Sequence, residues 1–144
     1  LLFAVSSAPA ASGGGGAAAC GFAIYDAMRF VRCPIRTITM GMCASAGVMI
    51  HLGGEKGQRF ATPTARFLLH QPSMSTMGQA SDLEIVSKEI DRIKLVYNRI
   101  VSEATGRSIE EIERDVHRDF WLPAEEGVAY GLADRIVTSR QEIE

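Results

Sequence analysis

Leu83, Val86, Ile90, Ile93, Tyr97, Ile100 and Ala104 recur at alternating steps of three and four. That spacing puts all of them on one stripe of a single long helix. The opposite face carries Lys88, Glu89, Asp91, Arg92 and Lys94. Ser81-Asp-Leu-Glu84 reads as a capping box at the start, and Gly106 as a left-handed stop at the end, giving a helix over Asp82 to Thr105. A chain of 144 residues with one amphipathic rod of this length must bury the stripe in its own core or lend it to another subunit. The periodicity leaves these two readings equal.

Around this rod the chain alternates between short helical and short extended patterns. Ile24, Met28 and Val31 share a helical face. Ile35 to Met40, entered through Pro34 and centred on Thr-Ile-Thr, reads as a strand. Ala44 to Leu52 reads as a short buried helix ended by Gly53-Gly54, and Ala65 to Leu69 as a strand closed by Pro72. A second capping box, Ser108-Ile-Glu-Glu111, opens another helix. Pro123 to Tyr130, stopped by Gly131, is a further one, and Arg135 to Thr138 closes as a strand. The class is therefore α/β.

Residues 1–19 stand apart. No charge occurs before Asp26, and residues 4–19 are almost all Ala, Gly and Ser. Such a stretch gains little by burial and loses much backbone entropy on ordering, so it reads as irregular, with 20–144 as one domain. Leu1 in place of Met reads as an internal residue of a longer product. Ala8-Pro9-Ala10 fits a small-residue cleavage pattern, but the basic and long apolar regions of a secretory signal are lacking, so cleavage is not expected.

Charge excludes some functions. Fifteen Lys+Arg against seventeen Asp+Glu give a net charge of −2, which does not suit a nucleic-acid surface. No apolar run is long enough to span a bilayer. Cys20, Cys33 and Cys43 are odd in number and lack C-x-x-C spacing, so neither a disulfide framework nor a zinc site is expected, and a reducing compartment suits them.

Chemistry is concentrated at few residues. Ser45 lies in Gly41-Met-Cys-Ala-Ser-Ala-Gly47, between an expected strand and an expected helix. The helix N-terminus there favours developing negative charge on a nucleophile's substrate. The competing reading of Ser45 is an ordinary N-cap. Of the three histidines, His51 sits inside an apolar helix and His117 at a charged helix end. His70 ends a strand, where α/β sites collect, and is the best base. Asp119, beside the only Trp, is a candidate partly buried acid to orient it. Gly13 to Gly16 can expose backbone N–H groups to a ligand, although composition alone favours a flexible linker. No G-K-[ST] follows, which excludes a Walker phosphate loop.

Taken together, Gly41 to Gly47, Gly57-Gln-Arg-Phe-Ala-Thr-Pro63, Leu69-His-Gln-Pro72, Gly78-Gln-Ala-Ser-Asp82, Arg118-Asp119 and Tyr130-Gly-Leu-Ala-Asp134 resemble, in order, the proteolytic subunit of the Clp protease. The resemblance runs from about Phe22 to Val137. It implies a crotonase-like α/β fold of repeated β-β-α units with a protruding handle helix, formed by the long rod. It implies a serine endopeptidase with Ser45 as nucleophile, His70 as base and Asp119 as orienting acid. The N–H groups of Ala46 and Gly16 would form the oxyanion hole, and Arg118 would belong to an inter-ring ion-pair network. It also implies a homo-oligomer of two stacked heptameric rings, an AAA+ Clp unfoldase as partner, and unfolded polypeptides as substrates. ATP is used by that partner; no cofactor or metal is implied for this chain, nor any nucleic acid or membrane. The bacterial cytoplasm and the mitochondrial or plastid matrix both suit the reading.

Two alternatives remain. The family's Asn-Ser-Pro-Gly-Gly is replaced here by Ala-Pro-Ala-Ala-Ser-Gly-Gly-Gly-Gly and roughly fifty N-terminal residues of the family have no counterpart in this sequence, which favours a ring-forming subunit of weak or no activity; Met74-Ser75 replaces a Gly-Gly pair after His-Gln-Pro-x, in the segment expected to pair with substrate and the neighbouring ring. A crotonase-type acyl-CoA enzyme shares the expected fold but needs no Ser/His/Asp set.

Overall fold

The computed structural model describes residues 1–6, 16–71 and 79–143. Its elements are β1 (Leu2–Val5), α1 (Gly16–Phe30), β2 (Arg36–Thr39), β3 (Met42–Ala44), α2 (Ala46–Leu52), β4 (Arg59–Ala61), β5 (Arg66–Leu69), α3 (Ala80–Thr105), α4 (Ile109–Asp115), β6 (Phe120–Pro123), α5 (Ala124–Tyr130) and β7 (Arg135–Ile136), followed by a 3-10 turn at Arg140–Ile143.

Two sheets divide these strands. One is four-stranded in the order β1-β2-β4-β7, all parallel. The other has the order β3-β5-β6, with β3 and β5 parallel and β5 and β6 antiparallel. The chain crosses between sheets in repeated β-β-α units: β2-β3-α2, then β4-β5-α3. Parallel neighbours need such crossovers, and helices over both faces then bury the strands. Cys43, Ala44, Phe60, Ala61, Phe67, Leu68 and Leu69 are accordingly all buried. The core joins them to Met49 and Leu52 of α2, Val101 of α3, Ile112 of α4 and Leu132.

Several elements differ from the sequence reading, each for a physical reason. Leu2–Val5, in the stretch that reads as irregular, is an edge strand paired with β2 from Leu2↔Arg36 to Val5↔Thr39. Four residues with only Val5 buried are too few to show a period. The rest of that stretch up to residue 15 lies outside the described residues. α1 starts at Gly16, well before Ile24, because Ala17 to Ala19 are the strongest helix formers. Its inward face is Gly21, Tyr25 and Met28; Ile24 and Val31 are exposed. Gly21 is required there, since a Cβ would lie 2.8 Å from that of Ala46. The expected helix from Ala44 is two elements, β3 and α2, joined at Ser45. Gly53 ends α2 in right-handed conformation, φ −66°.

The long rod forms, over Ala80–Thr105, with Gly106 at φ 75° as its left-handed stop. Ser81 does not cap it; Gln79 is the N-cap and Ser81 lies inside the first turn. The Ser108 capping box forms in full. Only the C-terminal part of α3 is rooted in the core, at Tyr97, Asn98, Ile100 and Val101. Leu83, Ile85, Leu95 and Val96 are exposed. Between α1 and α3 runs a cleft of about 550 Å³ lined by Phe22, Tyr25, Ile93, Val96 and Ile100.

Candidate active site

The smaller sheet brings the three expected residues to one edge. Ser45 follows the last residue of β3, and its N–H donates to the Leu68 carbonyl of β5 at 3.1 Å. His70 follows the last residue of β5. Asp119 precedes the first residue of β6, whose outermost pair with β5 is Leu69↔Phe120. One register step further sets His70 opposite Asp119. The order across the sheet edge is therefore Ser45, His70, Asp119, with neighbouring strands about 4.8 Å apart.

Ser45 is held in a conformation that a non-glycine residue rarely adopts, φ 51° and ψ −116°. It is the one non-glycine residue at positive φ among the described residues. Such strain persists only where surroundings over-determine it, and it collects at functional sites. Here the surroundings are the Leu68 carbonyl, and the Val48 N–H that donates to the Ser45 carbonyl at 3.0 Å. The Ser45 hydroxyl makes no capping bond to α2, so the N-cap reading does not describe it. Ala46 opens α2, and its N–H belongs to the first turn, which has no intrahelical acceptor.

His70 is half-buried. Its Nδ1 lies 2.8 Å from the Gln71 carbonyl oxygen. A carbonyl only accepts, so Nδ1 carries the proton and Nε2 keeps its lone pair. Nε2 is buried and has no hydrogen-bond partner. This tautomer suits a base that takes a proton at Nε2. The partner of Nδ1, however, is Gln71 and not Asp119. Asp119 is exposed, contrary to the partial burial its neighbour Trp121 suggests. Trp121 is itself 37 % exposed, and the cause is its place on a strand at the sheet's edge, stacked under the Arg66 guanidinium.

Arg118 is exposed in the turn before Asp119, and no ion pair engages it among the described residues. Gly16 is the first residue of α1, while the glycines before it lie outside the described residues, as do Met74 and Ser75.

Of the remaining candidates, His51 and Cys43 belong to the core. His51 is fully buried, its Nδ1 3.0 Å from Thr39 Oγ1 and its ring 5.4 Å from that of Phe67. Burial, helped by the Arg59 charge, pulls its pKa down to about 3, so it is neutral. Cys43, two residues before Ser45, has its thiol pushed up to about 12 by burial and is no rival nucleophile. His117 is exposed. Among the described residues no group of three His, Cys, Asp or Glu side chains is placed to hold a metal. The sequence gives no sign of the Gln71 carbonyl as a partner for His70, since a backbone group has no side-chain signature. Gly21, which lets α1 approach Ala46, is legible only as a glycine within a helix.

Comparisons with known proteins agree with this geometry. The sequence profile of the Clp protease family matches residues 11–140. The ATP-dependent Clp protease proteolytic subunit 3 of Rhizobium meliloti is 50 % identical over 123 residues, covering 85 % of this chain. The chain spans 63 % of that relative's length. A solved ClpP1 point mutant from Listeria monocytogenes superposes with a TM-score of 0.80 at 37 % identity, over 88 % of this chain and 70 % of that one. The two sheets and their β-β-α crossovers are thus the ClpP/crotonase-like fold, and the chain belongs to the Clp protease family.

Proposed function

We propose that this chain is the proteolytic subunit of an ATP-dependent, Clp-type chambered protease and cleaves peptide bonds as a serine endopeptidase. The observation that carries this is Ser45, strained at a strand–helix junction, on the same sheet edge as His70 and Asp119. Ser45 Oγ attacks the peptide carbonyl carbon while His70 Nε2 takes its proton. The N–H groups of Ala46 and Gly16 receive the oxyanion. The amine leaves with the His70 proton, and water then hydrolyses the acyl-enzyme by the same steps. Asp119 accepts the hydrogen bond from His70 Nδ1–H in place of the Gln71 carbonyl and stabilises the imidazolium.

Assembly into two stacked heptameric rings is supported by surfaces the fold leaves open. The first half of α3 exposes Leu83 and Ile85, and Phe30 at the end of α1 is 90 % exposed. Large apolar residues in such numbers mark contact surfaces. Arg118 is free to meet a carboxylate of the opposite ring. An AAA+ Clp unfoldase would hydrolyse ATP and feed unfolded polypeptide, in the bacterial cytoplasm or a mitochondrial or plastid matrix; this chain itself needs no cofactor.

A second reading, a ring subunit that assembles without cleaving, is favoured by one observation: His70 Nδ1–H donates its hydrogen bond to the Gln71 carbonyl. Fluorophosphonate labelling with parallel sizing separates the two. The peptidase reading predicts one label per chain in the full assembly and none in Ser45→Ala. An assembled parent that takes no label would establish the second reading.

A further inference from the structure

Val116 is buried in the core and its N–H donates to the Ile112 carbonyl at 2.9 Å, but His117, Arg118 and Asp119 after it are exposed. The segment that ends in Asp119 leaves α4 after Asp115 and enters β6 at Phe120, so residues 116–119 lie beyond the last β5–β6 pair. Tyr130, the last residue of α5, touches both ends of this segment. Its hydroxyl donates to Asp115 Oδ2 at 2.8 Å. Its ring meets Phe120 edge-on, centroids 5.5 Å apart at 62°. The Arg107 guanidinium lies 4.0 Å from the Tyr130 ring centroid, and Arg107 Nε donates to the Tyr130 carbonyl at 3.4 Å. Burial and the Asp115 carboxylate raise the Tyr130 pKa, so the hydroxyl stays a donor.

The clamp stands on a fixed base. Gly127, one turn earlier in α5, lies so close to β5 that a Cβ there would be 2.5 Å from the Phe67 ring. The same short helix therefore rests on the strand that ends in His70 and holds both ends of the segment that ends in Asp119. Arg107 in turn hangs from the end of α3, where Ser102 Oγ donates to its carbonyl at 2.6 Å.

We propose that Tyr130 is a positioning residue for Asp119, fixing residues 117–119 so that the carboxylate emerges opposite His70. This rests on the peptidase reading above. Tyr130→Phe keeps the ring and its contacts with Phe120 and Arg107 but deletes the bond to Asp115. In the assembled full chain, kcat for a short peptide should fall about tenfold with KM unchanged, the scale of one lost bond to a charged group. The acid limb of the kcat profile should move to lower pH, because a displaced Asp119 supports the His70 imidazolium less. Amide exchange should quicken at residues 117–119 and not in β3 or β5. Asp115→Asn, which keeps an acceptor oxygen, should stay near the parent. In an Asp119→Asn background, Tyr130→Phe should add nothing further.

A lowered melting temperature with kcat and the acid limb unmoved would overturn the proposal. So would an equal loss of kcat in the Asp119→Asn background, since the effect would not pass through Asp119. A parent with no Ser45-dependent turnover would count against the peptidase reading instead. The exchange measurement would then decide the clamp alone: quickening confined to 117–119 supports it, and unchanged exchange overturns it.

Discussion

The two ends of the candidate site are built differently. Ser45 is embedded. Backbone bonds to β5 and within α2 fix its strained backbone, Cys43 and Ala44 before it are buried, and Gly21 presses α1 onto Ala46 after it. Asp119, on the far side of His70, is exposed, lies outside the ladder, and leaves the His70 Nδ1 proton to Gln71. The proposed nucleophile is thus a product of this chain's own core. The proposed acid depends on a surface segment whose outer side has no cover among the described residues. On the proposed reading, a chamber that must not digest its surroundings would benefit from this division: the strained part would be permanent, and the last hydrogen bond would be left to be made on assembly.

The largest effects should come from residues that act as a unit. His70→Ala should cost about 10⁶ in kcat for peptide hydrolysis, as loss of the catalytic histidine does in other serine proteases. A loss of only tenfold would mean that Ser45 is activated by something else.

Asp119→Asn sharpens the comparison most. The residue is exposed, so the melting temperature should stay within about a degree, while kcat should fall roughly 10⁴-fold because the amide stabilises the wrong imidazole tautomer. A large drop in stability with modest loss of activity would reverse the roles assigned to the two ends of the site.

The embedded end should show itself in stability against pH. His51 has a folded pKa of about 3, below its ordinary 6.5, so the native state favours the neutral ring. Between these values the unfolded chain binds the extra proton. The His51 contribution is therefore complete above pH 6.5 and is lost as pH falls towards 3, by about 1.4 kcal/mol per pH unit. Denaturant midpoints of the parent and of His51→Leu across this range should converge as the pH falls. Parallel curves would show that His51 titrates normally.

Smaller again is Gly21→Val. Its side chain would meet Ala46 and Met49 and should cost about 1–3 kcal/mol by overpacking. Because the same contact seats α2, the Ser45 fluorophosphonate labelling rate should fall with it. Lost stability with an unchanged labelling rate would separate the α1–α2 contact from the nucleophile.

The same division explains what the sequence made legible. Ser45 and His70 stand at strand ends next to small or apolar runs, and side-chain pattern reveals such places. Asp119 carries no pattern that distinguishes exposure from burial; its Trp neighbour points to burial, and the edge position of β6 undoes that. Arg59–Ala61, three residues buried throughout, shows no alternation and cannot be told from loop. The face of α1 misleads because Ile24 and Val31, apolar and at helical spacing, point outward while Gly21 points in. An apolar stripe marks burial only when the partner that covers it belongs to the same chain, and in α3 only the root meets that condition.

The central claim is that the embedded half of the site is complete in this chain and the Asp119 half is completed by assembly. A crystal structure of the assembled particle with a covalent ligand on Ser45 tests it most directly. The account predicts Ser45 in its present backbone conformation, near φ 51°, with His70 Nδ1 turned from the Gln71 carbonyl to the Asp119 carboxylate. Nδ1 still donating to Gln71 in a labelled, fully assembled particle would contradict it.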